Sequence, residues 1–521
     1  MQGDLNRRSF LAYIAALGAA FFGFLWLGVR RREITAELKG PDLARGHAMR
    51  TPLNPHTAAS TSKIGTAIIG AGASGLSAAW YLQKQGYGNF RLYELENRAG
   101  GNSAWGQNRV GRYPWGAHYL PTPGDDAVYV RELLAEMGVF VNGKYGEEFL
   151  VHENEERLFI YNNWQPGLVP LMGARETDRA QIERFFSEMA KYRDLRGRDG
   201  RRAFTIPASL SSADERFTAF DSISADNFLQ NLGITSIRLL WYIDYVLRDE
   251  YGANRTNTSA WAMLHYFSSR SHAHNLVWPE GNGRITEYLR SKIEDKLQVA
   301  TTLRHVEQQR RGYRLLFQNH HTGQTETVVA DNVIFAAPKF TLPYVYPALD
   351  AKKKAAAQSF TYSPWLTVNL LVNHFGELDP AWDNVTYGSH SLGYVVAEHQ
   401  RAGKLPHARS LTFFHAFDAD DTLASRRHLL AMSARDACNF ALAELTKPHP
   451  KIADFVEEVG VYRWAHAMVR PSVGFQTSMS RKSLREIARG FYGAHSDISG
   501  MSNFEEAQFQ GVTAAQRVLK G

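Results

Sequence analysis

Residues 64–82 read I-G-T-A-I-I-G-A-G-A-S-G-L-S-A-A-W-Y-L, and residues 90–101 read F-R-L-Y-E-L-E-N-R-A-G-G. The first run starts as an apolar strand, turns at three glycines and continues as a small-residue helix. Gly70, Gly72 and Gly75 form G-x-G-x-x-G. Gly70 permits the tight turn, Gly72 lets backbone approach a pyrophosphate, and Gly75 lets the helix pack close to its strand. Ala73 and Ser74 open the helix, whose free N–H groups and positive dipole end suit an anion. Phe90 to Leu95 reads as the second strand. Glu94, near its end and about 20 residues past the glycines, places a carboxylate where ribose hydroxyls donate hydrogen bonds. Strand, turn, helix and acid together predict a dinucleotide-binding βαβ unit.

The remaining composition narrows the class. A chain of 521 residues is long enough for two or three domains. With 44% hydrophobic and 21% charged residues it reads as globular. The net charge of +7 is dispersed and no nucleic-acid module is present, so nucleic acid is excluded as a partner. The single cysteine, Cys438, rules out an internal disulfide and a cysteine-rich metal site, and no metal ligand set stands out. Cys438 sits in a helical pattern and reads as a buried small apolar residue.

Gly100 and Gly101 follow Glu94 closely, and with this pair the chain resembles the flavin-dependent amine oxidase superfamily. That group includes monoamine and polyamine oxidases, protoporphyrinogen oxidase and phytoene desaturases. The family usually places an arginine after the pair, where this chain has Asn102. The closing stretch, G-F-Y-G-A-H-S-D-I-S-G-M-S-N-F-E-E-A, is similar to the family's last cofactor segment. The resemblance implies FAD as cofactor and an α/β fold, with a Rossmann-type FAD-binding domain interleaved with an α+β substrate domain. It divides the chain into FAD-binding pieces at 63–120, 278–340 and 466–521, and substrate pieces at 121–277 and 341–465.

The resemblance also implies the remaining cofactor contacts. Gly116, Ala117 and His118 fall where the family's chain crosses the flavin ring. His118 is the single catalytic candidate, through proton exchange near the ring, and a structural histidine is the equal alternative. Val306 is expected to touch the adenine, and Asp497 the polyol or phosphates. Ser502, Asn503 and Phe504 are expected to begin a helix beneath the pyrimidine ring. Asn503 stands where amine oxidases often have an aromatic residue.

At the N-terminus, Asn6-Arg7-Arg8-Ser9-Phe10-Leu11 resembles a twin-arginine export signal. An uncharged apolar run, residues 10–29, is long enough to span a bilayer, and Arg30-Arg31-Arg32 closes it. Residues 1–32 therefore read as a signal or a retained membrane anchor. Residues 33–62, rich in proline, serine and threonine, read as a tether of low structural content. The expected protein is a bacterial flavoprotein exported folded by the twin-arginine machinery to the periplasm. Its expected chemistry is hydride transfer from a C–H bond of a small organic substrate, an amine among the candidates, with reoxidation by oxygen or a membrane acceptor. A redox-neutral flavin isomerase and a non-enzymatic, membrane-tethered flavin-binding partner are the alternatives.

Overall fold

The computed structural model describes residues 34–51, 53, 58–151, 155–270, 274–373, 381–397 and 407–521. The twin-arginine motif and the apolar run 10–29 lie outside the described residues. Among those described, no helix is long and apolar enough to cross a membrane.

Two sheets organise the molecule. The first grows from strand β2 (Ser60–Ile69), helix α2 (Ala73–Lys84) and strand β3 (Phe90–Tyr93). β2 and β3 run parallel, with Thr66 opposite Phe90 and Ile69 opposite Tyr93. The short strand β6 (Leu297–Gln298) extends this edge beside β3. On the other side of β2 lies β9 (Thr325–Phe335), also parallel. β2 thus has β3 on one side and β9 on the other, which makes its C-terminal end the topological switch point where α/β sheets bind ligands.

β9 is a single strand where the sequence pattern suggests two, Thr325–Val329 and Asp331–Pro338. Ala330 is buried and pairs with both Tyr313 and Ile64, so the ladder continues through it. The first half of β9 pairs with β8 (Tyr313–Asn319), which pairs in turn with β7 (Thr301–Gln308); its second half pairs with β15 (Phe491–Gly493). The closing helix α9 (Phe504–Lys520) packs along α2. One apolar cluster, including Leu76, Trp80 and Val512, fills the α2–α9 face, and another, including Tyr93, Phe317 and Phe335, fills the opposite face.

The second sheet has eight strands in the order β1-β14-β10-β13-β12-β11-β4-β5. Their ranges are β1 Ala36–Leu38, β4 Glu156–Ile160, β5 Asn163–Pro166, β10 Tyr362–Asn373, β11 Asp383–Thr386, β12 Tyr394–Val396, β13 Ala408–Ala416 and β14 Val456–Val469. β10 is buried along almost its whole length, as expected for a central strand packed on both faces. β14 runs unbroken to Val469. The helical stretch expected over 426–445 is two helices, α7 (Thr422–Ala431) and α8 (Ala434–Leu445). Ser433 restarts the helix: its hydroxyl accepts from the Asp436 N–H while the Asp436 carboxylate accepts from the Ser433 N–H, a capping box. A separate helical lobe packs its own core around Phe185, Phe204 and Trp261.

The tether expectation for 33–62 fails in its middle. β1 adds to the second sheet in parallel with β14, Ala36 opposite Val459 and Leu38 opposite Val461. Helix α1 (Leu43–Ala48) follows, capped by the Asp42 carboxylate, which accepts from the Ala44 and Arg45 N–H groups. Arg45 donates to the Leu95 carbonyl at 3.2 Å and to Asn97 at 2.9 Å, and Arg304 donates to the Ala48 and Thr51 carbonyls at 2.7 Å. The reason is physical: a run poor in large apolar residues docks here by backbone pairing and arginine bridges, neither of which leaves a hydropathy pattern.

Candidate cofactor and substrate site

A cavity of about 590 Å³ opens at the C-terminal end of β2. Gly70, Gly72, Ala73 and Ser74 form its floor, and Gly100, Gly101 and Asn102 rise beside them. α2 has Gly72 as its N-cap and no side chain caps it, so its first-turn N–H groups face the cavity. Gly101 has φ +56 and approaches Gly72 so closely that an added Cβ would lie 3.0 Å from the Gly72 Cα. Side chains here would fill the cradle.

Glu94 lies on the same wall. Its carboxylate accepts from the Ala71 N–H at 2.7 Å and from the Glu96 N–H at 2.9 Å. Burial raises its pKa to about 7, against the lowering effect of those two bonds. At the far end, Asn503 caps α9 by accepting from the Glu506 N–H at 3.0 Å, while its own amide nitrogen is buried without a partner. Ser502 accepts from the Val469 N–H at 2.9 Å, and Phe504 begins the helix. These three residues and Ala117 complete the wall. A glycine cradle at a helix start, a backbone-anchored carboxylate and a second helix N-terminus at the opposite end fit an extended dinucleotide.

The other expected residues stand apart. Gly75 is behind the cradle: a Cβ there would fall 1.8 Å from the Gly70 carbonyl oxygen, so it serves helix–strand packing. Asn102 turns its amide to the Ala467 carbonyl of β14 and joins the two sheets. Val306 lies off the cavity lining. It is 1% exposed and sits in the core below the cavity, while Thr301, Thr302 and Leu303 of the same strand form the wall. A register shift between Leu303 and His305 separates the two faces of β7. Asp497 lies off the lining as well. It is fully buried and accepts from the Lys339 N–H at 2.8 Å and the Tyr362 hydroxyl at 2.6 Å, whereas His495 and Ser496 reach the cavity. Lys339 clamps the same corner, its ammonium donating to the Phe335 and Ala337 carbonyls at 2.9 Å and to Ala494.

A smaller cavity of about 110 Å³ adjoins the first. The two share Asn102, Ala117, Trp464, Ser502, Asn503 and Phe504. Gly116 and His118 belong to this second cavity. His118 Nδ1 lies 3.2 Å from the Gly116 carbonyl, and its ring stacks on Phe414 at 4.6 Å. Burial lowers its pKa to about 4, so the imidazole is neutral at ordinary pH. With Nδ1–H donating to Gly116, Nε2 keeps its lone pair.

Sequence reasoning missed the acids of this cavity. Asp249, from α5 (Ile237–Tyr251), accepts from the Tyr119 hydroxyl at 3.2 Å, and burial raises its pKa to about 7. Glu505, in the first turn of α9, is raised to about 7 by the same cause. Glu250 pairs with Arg270 beside them. These acids come from two distant stretches, 249–250 and 505, and carry no shared motif. Thr367 also lines the cavity with its hydroxyl buried and unpartnered.

Comparison with known proteins agrees with this geometry. The family described as flavin containing amine oxidoreductase matches residues 73–519. Oxidoreductase PigB of a Serratia species is 24% identical over 285 residues, 50% of this chain and 41% of that protein. The match thus spans less than half of that relative. Among solved structures, a triple mutant of putrescine oxidase superposes with a TM-score of 0.66 at 18% identity, over 88% of this chain and 100% of that one. Cyclohexylamine oxidase from Brevibacterium oxydans gives 0.62 at 15% identity, over 88% and 99%. A fatty acid isomerase from P. acnes, described as producing CLA, gives 0.62 at 16%, over 89% and 99%. At these identities the structures establish the fold, and the family match covers most of the chain. The protein belongs to the flavin-containing amine oxidoreductases.

Proposed function

We propose that the chain oxidises a small amine at a C–H bond beside the nitrogen, with FAD in the larger cavity and substrate in the smaller. The observation that carries this reading is the convergence of Asp249, Glu505 and His118 on a small cavity that meets the cofactor cavity at Asn503 and Phe504. When bound, FAD accepts the hydride from the substrate carbon and passes the electrons to oxygen or a membrane acceptor. The chain supplies position and proton control. An ammonium entering the cavity favours the ionised forms of Asp249 and Glu505, which are held near neutrality by burial. Oxidation requires the free amine, so one proton must leave the nitrogen; the Asp249 carboxylate and His118 Nε2 are the acceptors at hand. The N-terminus of α9, aimed at the junction of the cavities, favours negative charge on the ring at that end. The hydroxyl of Thr367 and the amide nitrogen of Asn503 remain free to hold the substrate or a water.

The test is anaerobic mixing with a panel of primary and secondary amines and with neutral polyenes or fatty acids. Amines are expected to bleach the flavin. Bleaching by the neutral compounds alone, or turnover without bleaching, rejects the proposal, the latter in favour of a redox-neutral isomerase.

The N-terminal segment is proposed to route the folded flavoprotein through the twin-arginine machinery to the bacterial periplasm, residues 10–29 acting as signal or anchor. The support is the Arg7-Arg8-Ser9-Phe10-Leu11 pattern and the apolar run behind it. Fractionation of a chain carrying Arg7→Lys and Arg8→Lys is expected to leave it in the cytoplasm. A periplasmic double variant would refute the route.

A further inference from the structure

The two ends of the larger cavity differ in charge. One end carries carboxylates: Glu94, Glu96 and, from the docked N-terminal segment, Asp42. The glycine cradle next to them contributes no cation, since Asn102 holds the place beside Gly101 and turns to Ala467. Among the described residues, the arginines on this wall all come from outside the Rossmann unit. Arg50 comes from the N-terminal segment, and Arg426 and Arg427 come from α7. Arg426 donates to His466 Nε2 at 2.7 Å, and His466 stacks on Phe340 at 4.1 Å. Arg50 lies over the Tyr344 ring at 5.9 Å.

These arginines crowd one another. Besides burial, Arg50 and Arg427 both lower the pKa of Arg426, and Arg426, Arg50 and His47 all lower that of His466. Among the described residues, Arg50, Arg426 and Arg427 make no ion pair with a carboxylate. Gathering uncompensated cations costs free energy unless an anion completes the site. FAD is a dianion whose two charges sit on the diphosphate, between the sugar that the acidic end suits and the ring that the α9 end suits.

We propose that the N-terminal segment and α7 complete the cofactor site, with Arg50, Arg426 and Arg427 supplying the counter-charge for the diphosphate of FAD. The glycine cradle gives shape and N–H donors; the arginines give the charge that the cradle lacks. On this account the segment after the apolar run is part of the flavin site, and the chain before the Rossmann unit is required for tight FAD binding.

The experiment measures FAD dissociation by flavin fluorescence in the full chain at low and high salt. Arg50→Gln and Arg426→Gln remove the charges; Arg50→Lys and Arg426→Lys keep them; Arg311→Gln, on the turn between β7 and β8, controls for net charge. Arg50 is exposed and Arg426 half-buried, so none of these changes removes core packing. At low salt each Gln variant is expected to bind FAD about tenfold or more weakly. The Lys variants and Arg311→Gln should stay near the parent, and the gap should narrow at high salt as screening takes over. Gln variants that match the parent at low salt overturn the proposal. A loss that is equal at both salt concentrations also overturns it, because the residues would then act by shape.

Discussion

Glu94 shows how much one residue decides. Its carboxylate is already anchored by two backbone donors, so its outward lone pairs are aimed before any ligand arrives. Its pKa, raised to about 7 from 4.5, sets a sign for pH effects. The folded free protein keeps a proton that the unfolded chain has released between these values. The stability associated with Glu94 is therefore present below the unfolded value and is lost as pH rises through the folded one. Ribose hydroxyls donate better to the ionised form, so FAD binding should strengthen over the same range. Glu94→Gln is expected to weaken FAD binding ten- to a hundredfold at pH 8, the loss of a charge-assisted hydrogen bond, and to flatten that rise. Titration of the apoprotein at several pH values checks both; unchanged affinity would remove Glu94 from the site. The glycine turn after β2 and the place of Glu94 just past β3 were legible because each answers a local demand of the backbone. Val306 and Asp497 lie off the cavity lining, a placement the sequence could not show because its pattern gives a strand or turn without its register. Leu303 lies three residues away on the same strand, and Ser496 is the immediate neighbour of Asp497.

At the scale of elements, the sequence pattern identified α2 and the closing helix α9. It joined α7 to α8, since the polar break at Ser433 is set by a capping box of three-residue span. It split β9, since a strand serving two neighbours on one edge alternates differently in its two halves. The docked N-terminal segment was invisible for a further reason. Its hold comes from pairing along three residues of β1 and from arginines that bridge to carbonyls of Leu95, Ala48 and Thr51. The arginine variants proposed above belong to this scale, because they ask whether an element outside the Rossmann unit is part of its binding site.

For the whole molecule, the interleaving of two sheets places the reaction at their seam. β14 of the second sheet sends Trp464 to both cavities, and its indole donates to the Trp115 carbonyl at 2.8 Å. α9 starts at the same seam and ends packed on α2, so closing the chain assembles the flavin end and the substrate end together. The acids of the small cavity become neighbours only through this assembly, which is why no motif announced them. The central claim is that FAD occupies the cavity over the Gly70–Gly75 loop. The most direct test is the visible absorption spectrum of the purified full chain, followed by FAD titration of the stripped apoprotein. The account predicts a yellow protein that retains FAD near one per chain and recovers it after stripping. A folded, colourless protein that takes up no FAD would contradict it.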